Sequence, residues 1–290
     1  MAPERMASED VIAFQGVPGA YSDMACRAAR PDMTTLPCAS FEDTFAAVRD
    51  GKARFAMIPI ENSSAGRVAD IHHLLPDSGL HIIGEHFQKV EHQLLAPQGA
   101  TMDSIRTVHS HVQALSQCRH YTRRQGIRPV VHADTAGAAK EVAELGDPTR
   151  AAIASKLAAE TYGLQILDAN IQDIPHNTTR FIIMAEEPID PPMDAGPVVT
   201  TFVFRVRSVP AALYKALGGF ATNGVNITKL ESYIIDGSFT VAQFYADIEG
   251  HPENRMVRLA LEELSFFSRE VKILGVYPAN PFRGTANGDD

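Results

Sequence analysis

Cysteine is scarce in this chain: Cys26, Cys38 and Cys118 are the only three, far apart and without a CxxC pair. That excludes a zinc ribbon and a disulfide frame, and suits reduced thiols in a cytosolic protein. Positive charge is in deficit, with 26 Lys and Arg against 35 Asp and Glu and a formal net charge of −9. A duplex binder needs a basic face to displace counterions, so no nucleic-acid partner is expected. An anionic substrate would need a locally positive pocket, because the global field gives no help. No apolar run approaches the roughly 20 residues that cross a bilayer. Met1 to Asp10 carry charges and no apolar signal core. A cytoplasmic protein with no membrane partner is expected. Also missing are GxGxxG, the P-loop lysine, HExxH and any placeable Ser–His–Asp set. His72-His73 and His109-x-His111 have no Cys or carboxylate at ligand spacing, so no metal is expected.

What is present is an ordinary globular composition, 45% apolar and 21% charged over 290 residues, enough for one to three domains. Val11–Phe14 reads as a strand, Gly16-Val17-Pro18-Gly19 as a loop, and Ser22 as the cap of a helix. Strand, glycine loop and helix start would aim backbone N–H groups at a small anion, or make a plain tight turn. Ser40 with Asp43 resembles a capping box, opening a helix through Arg49 that Gly51 closes. Phe55–Ile60 reads as a buried strand ending in Glu61-Asn62-Ser63-Ser64, and residues 67–75 as a helix. Extended segments follow over His81–Leu95, a strand at Val108–His111 and one helix from Gln113 to Tyr121. Asp134 and Ser155 are read as caps after short strands, and Ile182–Ala185 as a buried strand behind His176-Asn177-Thr178-Thr179-Arg180-Phe181. The alternation implies parallel, doubly wound sheets. Ser22, Asn62, Ser110, Thr135, Ser155 and Thr179 all stand at predicted strand ends on one edge. Caps explain them singly; together they suggest a shared polar cleft.

Glu186–Pro197 is Pro-rich, acidic and non-periodic, and marks a domain boundary between residues 11–187 and 198–278. Beyond it, strand 200–206, a helix opened by Pro210, strand 226–235, an Asp236-Gly237 hairpin turn and strand 238–248 are expected. A helix over 253–267 with Met256, Leu259, Ala260 and Leu264 inward, then strand 271–277, complete a βαββαβ, ferredoxin-like order. The tail Ala279 to Asp290 reads as disordered.

With both halves read, the chain resembles prephenate dehydratase with a C-terminal ACT regulatory domain. The resemblance rests on Gly16–Ser22, Pro59–Ser63, Ser110–Cys118, Asp134–Ala136, Ala151–Ser155 and Asn177–Phe181, six motifs in one order. It implies an α/β fold, with a two-lobed, periplasmic-binding-protein-like catalytic domain whose site lies in the cleft, plus the ACT domain. Val112 stands where proline is usual. In the second domain Ala212 and Leu213, with Asn226, Ile227, Glu231 and Ser232, look like the two regions that bind the effector L-phenylalanine. The first departs from Gly-Ala-Leu as Ala211-Ala212-Leu213. The second departs from Glu-Ser-Arg-Pro as Glu231-Ser232-Tyr233-Ile234, which bears on the effector contact and not on the fold.

The implied reaction expels carbon dioxide and water from prephenate, driven by aromatisation, so no cofactor is expected. By resemblance Thr179 donates the proton to the departing hydroxyl, and Arg180 clamps the pyruvyl carboxylate. Asn62, Ser63, Ser110, Gln117, Thr135, Asn177 and Phe181 complete the implied substrate site. Neutral donors suit the ring carboxylate, because positive charge would hold it back from leaving. Lobe closure and a homodimer or homotetramer are further expectations from the resemblance. Arogenate as substrate, or a non-catalytic clamshell that binds a small anion, are the rival readings.

Overall fold

A computed structural model describes residues 9–207, 209–235 and 242–286. The chain divides into two compact units, with boundaries at Val68/Ala69, His86/Phe87 and Phe181/Ile182. In the first unit β1 (Val11–Gln15), α1 (Tyr21–Ala29), β2 (Thr34–Cys38), α2 (Phe41–Arg49) and β3 (Phe55–Asn62) alternate. β1 pairs in parallel with both β2 and β3, with Ile12 opposite Thr35 and Phe55. The apolar runs that predicted these strands are the core, since Ile12, Ala13, Phe14, Ala56, Met57 and Ile58 are all fully buried.

Ser40 caps α2 by accepting the Asp43 N–H at 3.0 Å, and Gly51 follows in the left-handed region at φ 70°. Ser22 does not cap α1, which starts at Tyr21 after Ala20. Instead the buried Asp23 carboxylate accepts the Gly19 N–H at 2.9 Å. The protein's own carboxylate therefore takes the place an anion would fill, and this loop is a turn and not a cradle. Gly19 is required on two counts: its φ is +87°, and a Cβ there would stand 2.8 Å from Ala158 Cα.

β4 (Gly66–Arg67) folds back on the end of β3, with Asn62 opposite Gly66. Next come α3 (Ala69–Leu74) and β5 (His81–Lys89), the latter passing from the second unit into the first. β6 (Gln93–Ala96), β7 (Thr107–Ser110), α4 (Val112–Gln117), α5 (Arg119–Arg124), β8 (Arg128–Val131), α6 (Thr135–Leu145), β9 (Arg150–Ala154), α7 (Lys156–Tyr162) and β10 (Gln165–Asp168) follow. Their strands form a sheet in the order β10-β6-β9-β7-β8. β7 is parallel to β8 and β9, but β6 is antiparallel to both β9 and β10. The sheet is mixed, not purely parallel, because the entering strand β6 runs against its neighbours. The single helix expected from Gln113 to Tyr121 breaks at Cys118 (φ −115°, ψ 22°), which gives α4 its end at Gln117. Asp134 and Ser155 cap α6 and α7, as their positions suggested. β11 (Thr178–Ala185) then runs from the first unit into the second, so two of the three boundaries fall inside strands and the third between β4 and α3.

The second unit contains β12 (Val198–Val206), α8 (Ala212–Thr222), β13 (Ile227–Ile234), β14 (Ala242–Glu249), α9 (Arg255–Phe267) and β15 (Ser268–Pro278), a βαββαβ order. The strands pair antiparallel as β13-β14-β12-β15. Phe202 of β12 stacks on Phe220 of α8 at 6.0 Å, joining that helix to the sheet, and Phe204 stacks on Phe244 of the neighbouring strand β14 at 5.1 Å. Three expectations change. Pro210 precedes the helix, because Ala211 (φ 60°) is its left-handed N-cap. Val257 faces inward with Ala260 and Leu264, while Met256 is exposed, a phase shift of one residue around α9. The tail holds α10 (Phe282–Ala286), anchored by Arg283 donating to the buried Glu85 carboxylate at 2.7 and 2.9 Å. The Asp236-Gly237 turn, residues 238–241 and residues 287–290 lie outside the described residues. Among the described residues no helix is long and apolar enough to cross a membrane.

Candidate active site

The polar end of β3 and the start of β11 lie side by side, which brings Asn62 to Asn177 and Thr179. The Asn62 carbonyl accepts the Ser64 and Ala65 N–H groups, each at 2.9 Å, so the turn after β3 orients the amide. Its nitrogen then donates to Asn177 Oδ1 at 2.7 Å and to Thr179 Oγ1 at 2.9 Å. Asn177 is 1% exposed and donates in turn to Gln117 Oε1 at 2.9 Å. Gln117 reaches this point because α4 ends there. Ser63 staples the same strand mouth, with its hydroxyl donating to His176 O at 3.0 Å and accepting from Thr178 N–H at 2.9 Å.

Five of the expected site residues thus form one cluster: Asn62, Ser63, Gln117, Asn177 and Thr179. The other four have different surroundings. Arg180 is 3% exposed and donates to Glu61 Oε1 at 3.0 Å, so its guanidinium is held by a neighbouring carboxylate from β3. Ser110 is fully buried and its hydroxyl donates to Ile153 O, tying β7 to β9. Phe181 is 1% exposed and packs in the interior, in a strand buried on both faces from Arg180 to Ala185. Thr135 is the first residue of α6, beside the true cap Asp134.

Two residues without an assigned role join the cluster. His92 Nε2 lies 2.8 Å from Gln117 Oε1, and His92 Nδ1 lies 2.8 Å from the Tyr21 hydroxyl. That hydroxyl is also 3.0 Å from Glu91 O. Burial lowers the His92 pKa, partly opposed by its bond to Gln117, and burial raises that of Tyr21 well above the ordinary phenol value. A neutral imidazole and a protonated phenol are the resulting forms. Tyr21 sits inside a quoted motif, and His92 inside a plain alternating stretch; neither carries a local signal for this role. Among the described residues no group of three or more His, Cys, Asp or Glu is arranged to hold a metal.

The arrangement holds a hydroxyl whose oxygen already accepts a hydrogen bond from one of three linked neutral amides, with the buried Arg180 next in the strand. The prephenate dehydratase family model matches residues 12–189 of the chain. The chain belongs to the prephenate dehydratase family. Members of that family are carbon–oxygen lyases, and this protein is one. Over 278 residues it is 56% identical to the bifunctional N-acyl-homoserine lactone acylase/prephenate dehydratase of Komagataeibacter europaeus, covering 96% of this chain and 99% of that protein. It is 40% identical to the chloroplastic arogenate dehydratase/prephenate dehydratase 1 of Arabidopsis thaliana, covering 94% of this chain and 73% of the other. A structure of prephenate dehydratase from Arthrobacter aurescens in complex with L-Phe superposes with a TM-score of 0.84 at 30% identity, over 93% of this chain and 90% of that one.

In the second unit, Ala212 and Leu213 line a cavity of about 950 Å³ that also takes Arg205, Arg207 and Arg269. Asn226, Ile227, Glu231 and Ser232 do not line it. Asn226 donates to Glu249 at 3.2 Å, Ile227 pairs with Ile248, Glu231 lies 3.3 Å from Lys229 Nζ, and Ser232 is exposed. Tyr233 turns inward: it is 5% exposed, meets the His72 and His73 rings edge-on and accepts from Gln243 Nε2 at 2.7 Å.

Proposed function

We propose that this protein converts prephenate to phenylpyruvate, carbon dioxide and water, with Thr179 as the proton donor. The supporting observation is the bond from Asn62 to Thr179 Oγ1. A hydroxyl that accepts there keeps its own proton for another acceptor, and the departing ring hydroxyl of the substrate is one. As the ring C–O bond breaks, Thr179 passes its proton to the leaving oxygen and takes one back from solvent. The ring C–CO₂ bond breaks in the same aromatisation, and its electron pair enters the ring. Asn62, Gln117 and Asn177 orient the diene without adding positive charge beside the ring carboxylate, where charge would stabilise the ground state. Arg180 receives the pyruvyl carboxylate, in competition with Glu61.

Residues 198–278 are read as an ACT domain that binds L-phenylalanine and lowers turnover, within a cytoplasmic homodimer or homotetramer. Its βαββαβ order and the L-Phe complex of the Arthrobacter aurescens relative support that reading. Phenylpyruvate formation from prephenate by the purified protein, with and without L-phenylalanine, tests both parts. Turnover on arogenate in place of prephenate would reassign the substrate. A second activity is favoured by the 56% identical relative that is named as an acylase as well. Release of homoserine lactone from an N-acyl-homoserine lactone would establish it.

A further inference from the structure

The tautomer of His92 follows from the bonds around it. Asn177 Oδ1 accepts from Asn62, so Asn177 presents its N–H to Gln117 and the Gln117 atom between them is the carbonyl oxygen. His92 Nε2 also lies on that oxygen, so it must carry the ring proton. In a neutral ring Nδ1 is then bare, and the Tyr21 hydroxyl shares its one proton between Nδ1 at 2.8 Å and Glu91 O at 3.0 Å. Six side chains are therefore linked: Tyr21, His92, Gln117, Asn177, Asn62 and Thr179. The donors converge on Gln117 Oε1 and diverge from Asn62 Nδ2. Such a chain cannot pass protons from end to end, because its direction reverses twice. What it does is set polarity. The Ser64 and Ala65 N–H groups fix one end, so that Asn62 offers N–H to Asn177 and Thr179, and His92 fixes the other by donating to the Gln117 carbonyl on which Asn177 rests.

We infer that His92, held by Tyr21, is a positioning residue that, through Gln117 and Asn177, holds the Asn62 amide against Thr179, which accepts from it and so keeps its proton for the substrate. This rests on the reading of Thr179 as proton donor. The inference spans sequence separations of 71, 25, 60, 115 and 117 residues, link by link, so the frame is tertiary and not a local motif. Networks of this kind are stronger whole than in parts, and the loss of one member reorients the rest.

The test compares wild type with His92→Leu, His92→Gln and Tyr21→Phe, reading steady-state turnover and the ¹³C-methyl resonance of Thr179. In His92→Leu kcat should fall about 30-fold with KM within about twofold, the cost of a misplaced group away from the reacting atoms. The Thr179 methyl resonance should move with it. A Gln at position 92 can place an N–H near the former Nε2 and should recover kcat to within about threefold, with the methyl shift reversed. Tyr21→Phe keeps the ring and removes one hydroxyl; it should cost about threefold in kcat and serves if His92→Leu does not fold. Unchanged kcat and an unmoved Thr179 methyl in His92→Leu, or in Tyr21→Phe where His92→Leu does not fold, overturn the inference. A parallel loss of kcat and KM without rescue by Gln also overturns it, because it marks a merely structural role. A wild type inert on prephenate would sink the dehydratase reading instead, and the methyl resonance would still decide the positioning role.

Discussion

Around Thr179 the polar side chains are bonded mainly to one another, whereas along β13 the motif side chains point to solvent or to ordinary strand neighbours. Asn62, Asn177 and Gln117 have their carbonyls occupied by protein donors, so each can turn only one way. In the second region Asn226 and Ser232 are exposed, and Tyr233 has swung inward against the His72 and His73 rings. Preorganised dipoles cost nothing to align at the moment of reaction, which is what a site for developing charge requires. A site for an effector has no such demand, because the ligand can order the groups it meets and report through a shift in population.

That contrast breaks most sharply at Thr179. Thr179→Val keeps shape and removes the proton; kcat should fall about 1,000-fold with KM within a few-fold, measured as phenylpyruvate formation. Retained turnover would remove Thr179 from the chemistry. Asn62→Ala leaves the Thr179 hydroxyl without its donor and Asn177 Oδ1 unsatisfied, for an expected loss of about 100-fold in kcat. Arg180→Lys keeps the charge but loses the planar fork. KM for prephenate should rise about tenfold, with a loss of about 1–3 kcal/mol in stability from the buried bonds to Glu61, read by urea denaturation. An unaltered KM would count against the clamp. In the second region Tyr233→Arg should not restore a family-type effector site. The buried position would instead cost about 2 kcal/mol, seen as a lower Tm with the same response to phenylalanine.

The sequence was informative wherever the cause of structure was local. The β3 run Phe55–Ile60, the Ser40–Asp43 cap and the Asp134 and Ser155 caps are decided by residues within one turn or strand, and each is where the pattern put it. Ser22 failed because α1 begins at Tyr21 after Ala20, which puts Ser22 inside the first turn and leaves the helix without a side-chain cap. Met256 failed because a helical stripe can be misread by one residue when apolar side chains flank it on both sides. The candidate site was legible only as a family resemblance; nothing in the spacing of Asn62, Gln117, Asn177 and Thr179 brings them together. The Arg180–Glu61 pair spans 119 residues and the His92–Gln117 contact 25, joined by sheet topology that no local rule gives. Phe181 shows the reverse, a motif residue whose apolar side chain at the head of the buried run Ile182–Ala185 already marked it for the core.

The smallest expected effect concerns pH, and it also bears on the first region. His92 is held neutral, its pKa lowered by burial more than the bond to Gln117 raises it. The unfolded chain binds that proton near the ordinary histidine value of about 6.5. Below that pH the unfolded state takes up a proton the native state refuses, so stability falls as pH drops from about 7 towards 5. Above it the contribution is fully present and flat. His109 is lowered in the same direction, by burial first and then by Arg150, so it adds to the slope. Subtracting the Tm profile of His92→Gln from that of wild type isolates the His92 share. The difference should be constant above about pH 7 and move against wild type as the solution is acidified. A difference that stays constant down to pH 5 would mean that His92 is charged in the native state. Its Nδ1 would then donate to the Tyr21 oxygen and Tyr21 to Glu91 O, reversing that one link while Nε2 still donates to Gln117.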